Sequence, residues 1–166
     1  SMLTELRIDD NSFQNVTDMR LVGMGRLSTV LIGENCFSNG GASSNDGEFV
    51  VKDCPALKRI VIQNHSFSRY ATLQIKNAPS LEEIDIHDHC FGAVHNFTLS
   101  DFDRLKRVSI GADCFRTEDD YESSGEFHLK ECYEIETLDV GALSFEYFTV
   151  CEIASVSLKR LQIGSL

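Results

Sequence analysis

His65, His89 and Asp113 follow one another at steps of 24 residues, and His87 lies two residues before His89. Two imidazoles and a carboxylate brought to one spot are a donor set for zinc or nickel. Six cysteines (Cys36, Cys54, Cys90, Cys114, Cys132 and Cys151) are the other ready source of metal ligands or cross-links. A spacing of 24 is either a site or a repeat, so neither set can be judged before the periodicity of the chain. No P-loop, dinucleotide fingerprint, G-x-S-x-G elbow or paired C-x-x-C accompanies these residues. No cofactor is therefore expected, and no Ser, His and Asp fall at a spacing that assembles a catalytic group.

The periodicity is strong. Leu3, Leu6, Ile8, Asn11 and Phe13 recur as Leu27, Val30, Ile32, Asn35 and Phe37, then as Leu57, Ile60, Ile62, His65 and Phe67. Leu81, Ile84, Ile86, His89 and Phe91 follow, then Leu105, Val108, Ile110, Asp113 and Phe115, then Ile135, Leu138, Val140, Leu143 and Phe145. Leu158, Leu161 and Ile163 begin a seventh, truncated unit. A second apolar pair alternates in, out, in within each unit: Met19/Leu21, Phe49/Val51, Leu73/Ile75, Phe97/Leu99, Phe127/Leu129 and, less regularly, Cys151/Ile153. That is strand period, not helix period. The spacing predicts a β-rich solenoid of six coils and a truncated seventh, starting near 3, 27, 57, 81, 105, 135 and 158. Each coil has two short parallel strands, and little helix is expected. Residues 3–166 read as one domain, and Ser1-Met2 as an expression scar. Gly33, Gly111, Gly141 and Gly164 are expected at turns with unusual backbone angles.

Seen in this frame, His65, His89 and Asp113 occupy the asparagine position of three successive coils, where a polar side chain usually serves the turn. They remain weak metal candidates. The cysteines fall into columns as well: Cys36, Cys90 and Cys114 share one with Ser12, Ser66 and Ser144, and Cys54 shares another with Cys132. Most pairs lie two or three coils apart, ~10–15 Å at ~4.8 Å per rung, too far for the ~4.4–6.8 Å of a disulfide. Cys90 and Cys114 are on adjacent rungs with parallel side chains. Buried free thiols are expected. Outward residues between the first two anchors alternate in sign from the third coil: Lys58-Arg59, Glu82-Glu83, Lys106-Arg107, Glu136-Thr137, Lys159-Arg160. On neighbouring parallel strands this makes a ladder of opposite charges that holds register.

The L-x-x-L-x-I-x-x-N-x-F unit resembles the leucine-rich repeat signature. Ile32-Gly33-Glu34-Asn35-Cys36-Phe37 and Ile110-Gly111-Ala112-Asp113-Cys114-Phe115 are similar to the IG-x-x-A-F element of BspA-like leucine-rich repeats, found in bacterial and protist surface proteins. The chain departs from that element in carrying Ser or Cys before the Phe. The resemblance implies a right-handed leucine-rich-repeat stack and a non-catalytic role in protein–protein interaction or adhesion. It transfers no catalytic residue. The alternative fold is a parallel β-helix of the polysaccharide-lyase kind. The rival function is a carbohydrate-active or metal-dependent enzyme on a β-solenoid, which a deep acidic cleft or a bound metal would favour.

Fifteen Lys and Arg against 26 Asp and Glu give a net charge of −11. Such an acidic surface repels phosphate backbones, so nucleic acid is not an expected partner. No apolar run approaches the ~20 residues of a membrane span, so no membrane insertion is expected. Two units carry longer segments after the repeat Phe, 38–48 and 116–126, where the others have short turns. They are expected to leave one edge as walls around a floor of Arg69, Tyr70, Val94 and His95. Recognition tends to sit on loops over a rigid scaffold. Tyr70, His95 and Tyr121 are the expected contacts for a protein partner with a basic surface, steered by Asp119 and Asp120. No polar cap is visible at either end, so the array is expected to be a fragment of a longer one and to self-associate end to end. Free thiols point to an intracellular compartment. Three sequons, Asn15-Val16-Thr17, Asn64-His65-Ser66 and Asn96-Phe97-Thr98, point with the resemblance to a cell surface or secretion. The compartment stays open.

Overall fold

A computed structural model describes residues 2–38, 47–116 and 125–164. Its strands are β1 (Glu5–Ile8), β2 (Asp18–Val22), β3 (Thr29–Ile32), β4 (Gly47–Lys52), β5 (Arg59–Ile62), β6 (Tyr70–Lys76), β7 (Glu83–Ile86), β8 (Asn96–Phe102), β9 (Arg107–Ile110), β10 (Gly125–Cys132), β11 (Thr137–Val140), β12 (Phe148–Val156) and β13 (Arg160–Ile163). No helix occurs among the described residues. Odd-numbered strands form a seven-stranded sheet in chain order, and even-numbered strands form a six-stranded sheet. Every neighbouring pair is parallel. This is the connectivity of a parallel β-solenoid.

The register matches the sequence columns residue for residue. Leu6 pairs with Val30, Val30 with Ile60, Ile60 with Ile84, Ile84 with Val108, Val108 with Leu138 and Leu138 with Leu161. Cys151 pairs with Phe127 and Ile153 with Leu129, so the least regular unit is in register too. Leu27, Leu57, Leu81, Leu105 and Ile135 have no exposed surface, and together with the inward strand residues they form one continuous core. Arg59 lies opposite Glu83 at 2.9 Å, and Lys159 reaches Glu136 at 2.8 Å, as the charge ladder requires.

The turns explain why the repeat reads as it does. Asn11, Asn35, His65, His89, Asp113 and Leu143 all have φ between 56° and 60°. This left-handed region is open chiefly to Gly, Asn, Asp and His. The repeat Phe adopts it as well, with φ from 52° to 62°. A bulky residue there costs about 1–2 kcal/mol, whereas burying a Phe ring returns up to about 3 kcal/mol. The rings do bury: Phe37, Phe67, Phe91 and Phe115 are buried, Phe145 is partly so, and the five stack in one file with centroids 4.7–5.6 Å apart. A second left-handed column, Asp53, Asn77, Asp101 and Glu131, follows the six-stranded sheet.

Two expectations are corrected. Gly33, Gly111, Gly141 and Gly164 do not have positive φ; they are needed because neighbouring coils touch them. A Cβ on Gly33 would meet Asp10 Oδ1 at 2.5 Å, and one on Gly141 would meet Ala112 N at 2.5 Å. The side chain at the asparagine position does not serve the turn backbone. Asn35 Nδ2 donates to Asn11 Oδ1 at 2.8 Å, and the preceding residue does the capping: Asp10, Asn64 and Asp88 accept the backbone N–H of Glu34, Asp88 and Ala112 at 2.7–3.0 Å.

Candidate functional site

One edge of the stack is built on the asparagine column, at the exit of the seven-stranded sheet. His65 and His89 lie face to face, centroids 4.8 Å apart and planes 1° from parallel. His89 Nδ1 is 2.9 Å from Asp113 Oδ2. Arg116 continues the chain of contacts, with Nη1 3.0 Å from Asp113 Oδ1 and Nε 2.8 Å from Glu146 Oε2. The hydrogen bond to Asp113, then the charge of Glu146, raises the Arg116 pKa, so the guanidinium stays charged. Parallel rings present faces to each other, not lone pairs to a common point. The sequence therefore brings His65, His89 and Asp113 together, and the structure spends them on stacking and a hydrogen bond. His87 turns to Asp85 at 3.6 Å instead. Among the described residues no group of three or more His, Cys, Asp or Glu is placed to share a metal ion. At the first three coils the same edge holds an open, shallow pocket of about 410 Å³ lined by Asp10, Asn11, Glu34, Asn35 and His65.

The cysteine column has a defined task. Cys36, Cys90 and Cys114 each donate Sγ–H to a carbonyl of the preceding coil, at Asp9, Gln63 and His87 (3.1–3.2 Å). Ser66 and Ser144 donate Oγ–H to Gly33 and Gly111 at 2.9 and 2.8 Å, and accept the N–H of Cys36 and Cys114. All six thiols are free. Burial pushes the Cys90 thiol up and raises Cys114 and Cys132 to about 12, so these groups stay protonated. Cys151 is exposed, against the expectation of burial. Its inward-pointing strand, β12, pairs with β10 on one side and with no strand on the other among the described residues.

The other edge joins the repeat Phe to the six-stranded sheet, and here the expected floor is half dismantled. Tyr70 is fully buried: its ring meets Phe67 edge-on at 4.9 Å, and its hydroxyl donates to Val16 O at 2.8 Å. It cannot contact a partner. Val94 is buried as well. Both lie three residues after the repeat Phe, where a tight turn closes (Tyr70 N to Phe67 O 3.2 Å, Val94 N to Phe91 O 3.1 Å) and folds the side chain inward. The signal was there in Val16, Tyr70, Val94 and Phe148, apolar at the same offset in four units. The longer units lack that residue and start their strand with Gly47 or Gly125. A Cβ on Gly47 would strike Thr17 O at 2.4 Å and touch Tyr70 Cγ at 3.4 Å, and one on Gly125 would strike the Phe148 ring at 2.5 Å. Arg69 is exposed and His95 half-buried, both without a side-chain partner among the described residues. Tyr121, Asp119 and Asp120 lie outside the described residues.

One carboxylate pair escaped the sequence reading. Asp101 and Glu131 stand in the second left-handed column, and the hydrogen bond and charge of Asp101 hold the Glu131 carboxyl above the usual range. Only recognising that column would have revealed it. No protein-family profile, curated protein or solved structure matches this chain. Among the described residues no helix is long and apolar enough to cross a membrane.

Proposed function

We propose that this chain is a right-handed leucine-rich-repeat solenoid of the BspA-like kind, six coils and a truncated seventh, acting as a non-catalytic protein-interaction or adhesion scaffold. The observation that carries the reading is the contrast between the sheets and the turn edge. Charges on the sheet faces find partners on neighbouring rungs, at Arg20–Glu48, Arg59–Glu83, Lys130–Glu152 and Arg160–Asp139. Arg69 and His95 stand without such partners on adjacent short turns, held by a registered frame and flanked in sequence by segments 38–48 and 116–126. Arg is a frequent interface anchor. The partner is a protein with a basic surface, drawn by the net charge of −11 and steered by Asp119 and Asp120. Tyr121 is the aromatic contact. End-to-end stacking of two copies is a weaker proposal. The rims expose Phe13, Leu161 and Ile163, but seven strands on one sheet and six on the other leave one strand position open when copies are stacked.

The test is affinity for a captured partner. Arg69→Ala, His95→Ala and Tyr121→Ala are each expected to weaken binding about tenfold or more, ~1.4 kcal/mol. Glu83→Gln on the ladder is expected to leave it unchanged. Unchanged binding by the three edge variants, with loss in the ladder variant, would move the interface to the sheet and sink the reading.

A further inference from the structure

The three sequons differ in what the fold does with them. Asn64 is half-buried and its Oδ1 accepts the Asp88 N–H at 3.0 Å, linking one coil to the next. The hydroxyl of that sequon, Ser66, has no exposed surface and is held by Gly33 O and Cys36 N. Asn15 is exposed in a turn, its amide without a partner among the described residues, and Thr17 Oγ1 donates to Asp18 Oδ2 at 3.2 Å. Asn96 is exposed at the start of β8, between Thr72 and Glu126. Thr98 points from the same outer face, and neither side chain has a partner among the described residues.

We infer that Asn15 and Asn96 are N-glycan acceptor sites and that Asn64 is not one, its sequon being committed to the coil-to-coil contact. The donor class is a lipid-linked oligosaccharyl diphosphate. The Asn Nδ2 forms a bond to the sugar C1, the C1–O bond to the diphosphate breaks, its electrons leave with the lipid diphosphate, and one amide proton is released to a base. A sugar on Asn15 or Asn96 projects into solvent. On Asn64 it would sit at Nδ2 of the half-buried amide whose Oδ1 holds the Asp88 N–H and would crowd the joint between two coils, so folded protein does not carry it. Free thiols do not argue against this setting. Five of the six are buried, and the best enclosed, Cys90 and Cys114, are kept protonated by burial, which makes them poor substrates for oxidation in any compartment. Asn96 adjoins His95, so a sugar there would border the proposed docking edge without occupying the seven-stranded sheet.

The experiment is secretion of the full chain from a eukaryotic cell behind an added signal peptide, with glycopeptide mapping before and after enzymatic release of N-glycans. The expected result is sugar on the Asn15 and Asn96 peptides and none on the Asn64 peptide. Asn15→Gln and Asn96→Gln should each remove one glycan, and the double variant should migrate as unmodified protein. Sugar on Asn64 of the folded, secreted chain, or a bare Asn15 or Asn96 peptide, would overturn the inference.

Discussion

Phe67 and Phe13 hold the same repeat position with nearly the same backbone angles, φ 59° and 52°, yet the first is fully buried and the second 58% exposed. Ile62 and Ile163 make a parallel contrast, buried in the middle and 60% exposed in the last strand. Residue type and local conformation are not what differ; the number of neighbouring coils is. A solenoid rung has no interior of its own, and each column residue draws its burial from the rungs on either side. What a column residue contributes is thus set by its place in the stack, and the same substitution tried in two rungs measures that directly.

The largest difference is expected in the Phe file. Phe67→Ala removes a ring stacked on Phe37, Phe49 and Phe91 and should cost ~3–5 kcal/mol in urea unfolding. Phe13→Ala should cost under about 1 kcal/mol, because its ring faces Phe37 alone. Equal losses would remove the contrast.

Next comes the left-handed turn. His65→Asn keeps a side chain suited to φ 60° and should be nearly neutral, whereas His65→Val should lose about 1–2 kcal/mol to a β-branched side chain in that region. Thermal unfolding of the two variants compares backbone strain with loss of the His89 stack. If both lose the same amount, the stack is what matters and the backbone argument fails.

Tyr70→Phe isolates one hydrogen bond. Losing the donor to Val16 O should cost about 0.5–1.5 kcal/mol while the Phe67 contact survives. An unchanged midpoint would mean that the Val16 carbonyl finds another donor.

The smallest effect is acidic destabilisation of the surface pairs. Hydrogen bonds from Lys130 and then His128 hold Glu152 below the usual carboxylate range, and Lys159 does the same for Glu136. A folded pKa below the unfolded one gives stability that is present above the unfolded value, near ~4.3. It is lost as pH falls through the depressed folded value. Both carboxylates lie at the surface and reach solvent, so the loss should be slight and should fade with salt. Melting curves at falling pH for the native chain and Glu152→Gln check the sign: the variant should lose less. A variant that loses more would reverse it.

Much of this architecture was legible because a repeat states each rule several times. Anchors, strand pairs, the charge ladder and the shared cysteine column all follow from stepping 24 or 30 residues along the chain. Other features depend on three-dimensional contact that spacing does not encode. That Gly33 is required by the approach of Asp10, and not by its own φ, needs the neighbouring coil in place. Tyr70 looked like a turn residue because it follows the polar Ser68-Arg69, and only the offset shared with Val16, Val94 and Phe148 marks it as inward. The candidate site fared worse than the fold: His65, His89 and Asp113 do meet, but whether stacked rings bind metal or brace each other is a matter of ring orientation. Of the expected docking residues, Tyr70 and Val94 turned out to be core, Tyr121, Asp119 and Asp120 fall outside the described segments, and Arg69 and His95 are left.

The most direct test of the claim that place in the stack decides is native-state thiol labelling, read by peptide mapping. Cys36, Cys90, Cys114 and Cys151 all lie at inward column positions, but only Cys151 lacks a covering rung among the described residues. One thiol, Cys151, should react quickly, and the other five only after denaturation. Fast labelling of Cys90 or Cys114 in the folded protein, or protection of Cys151, would contradict the account.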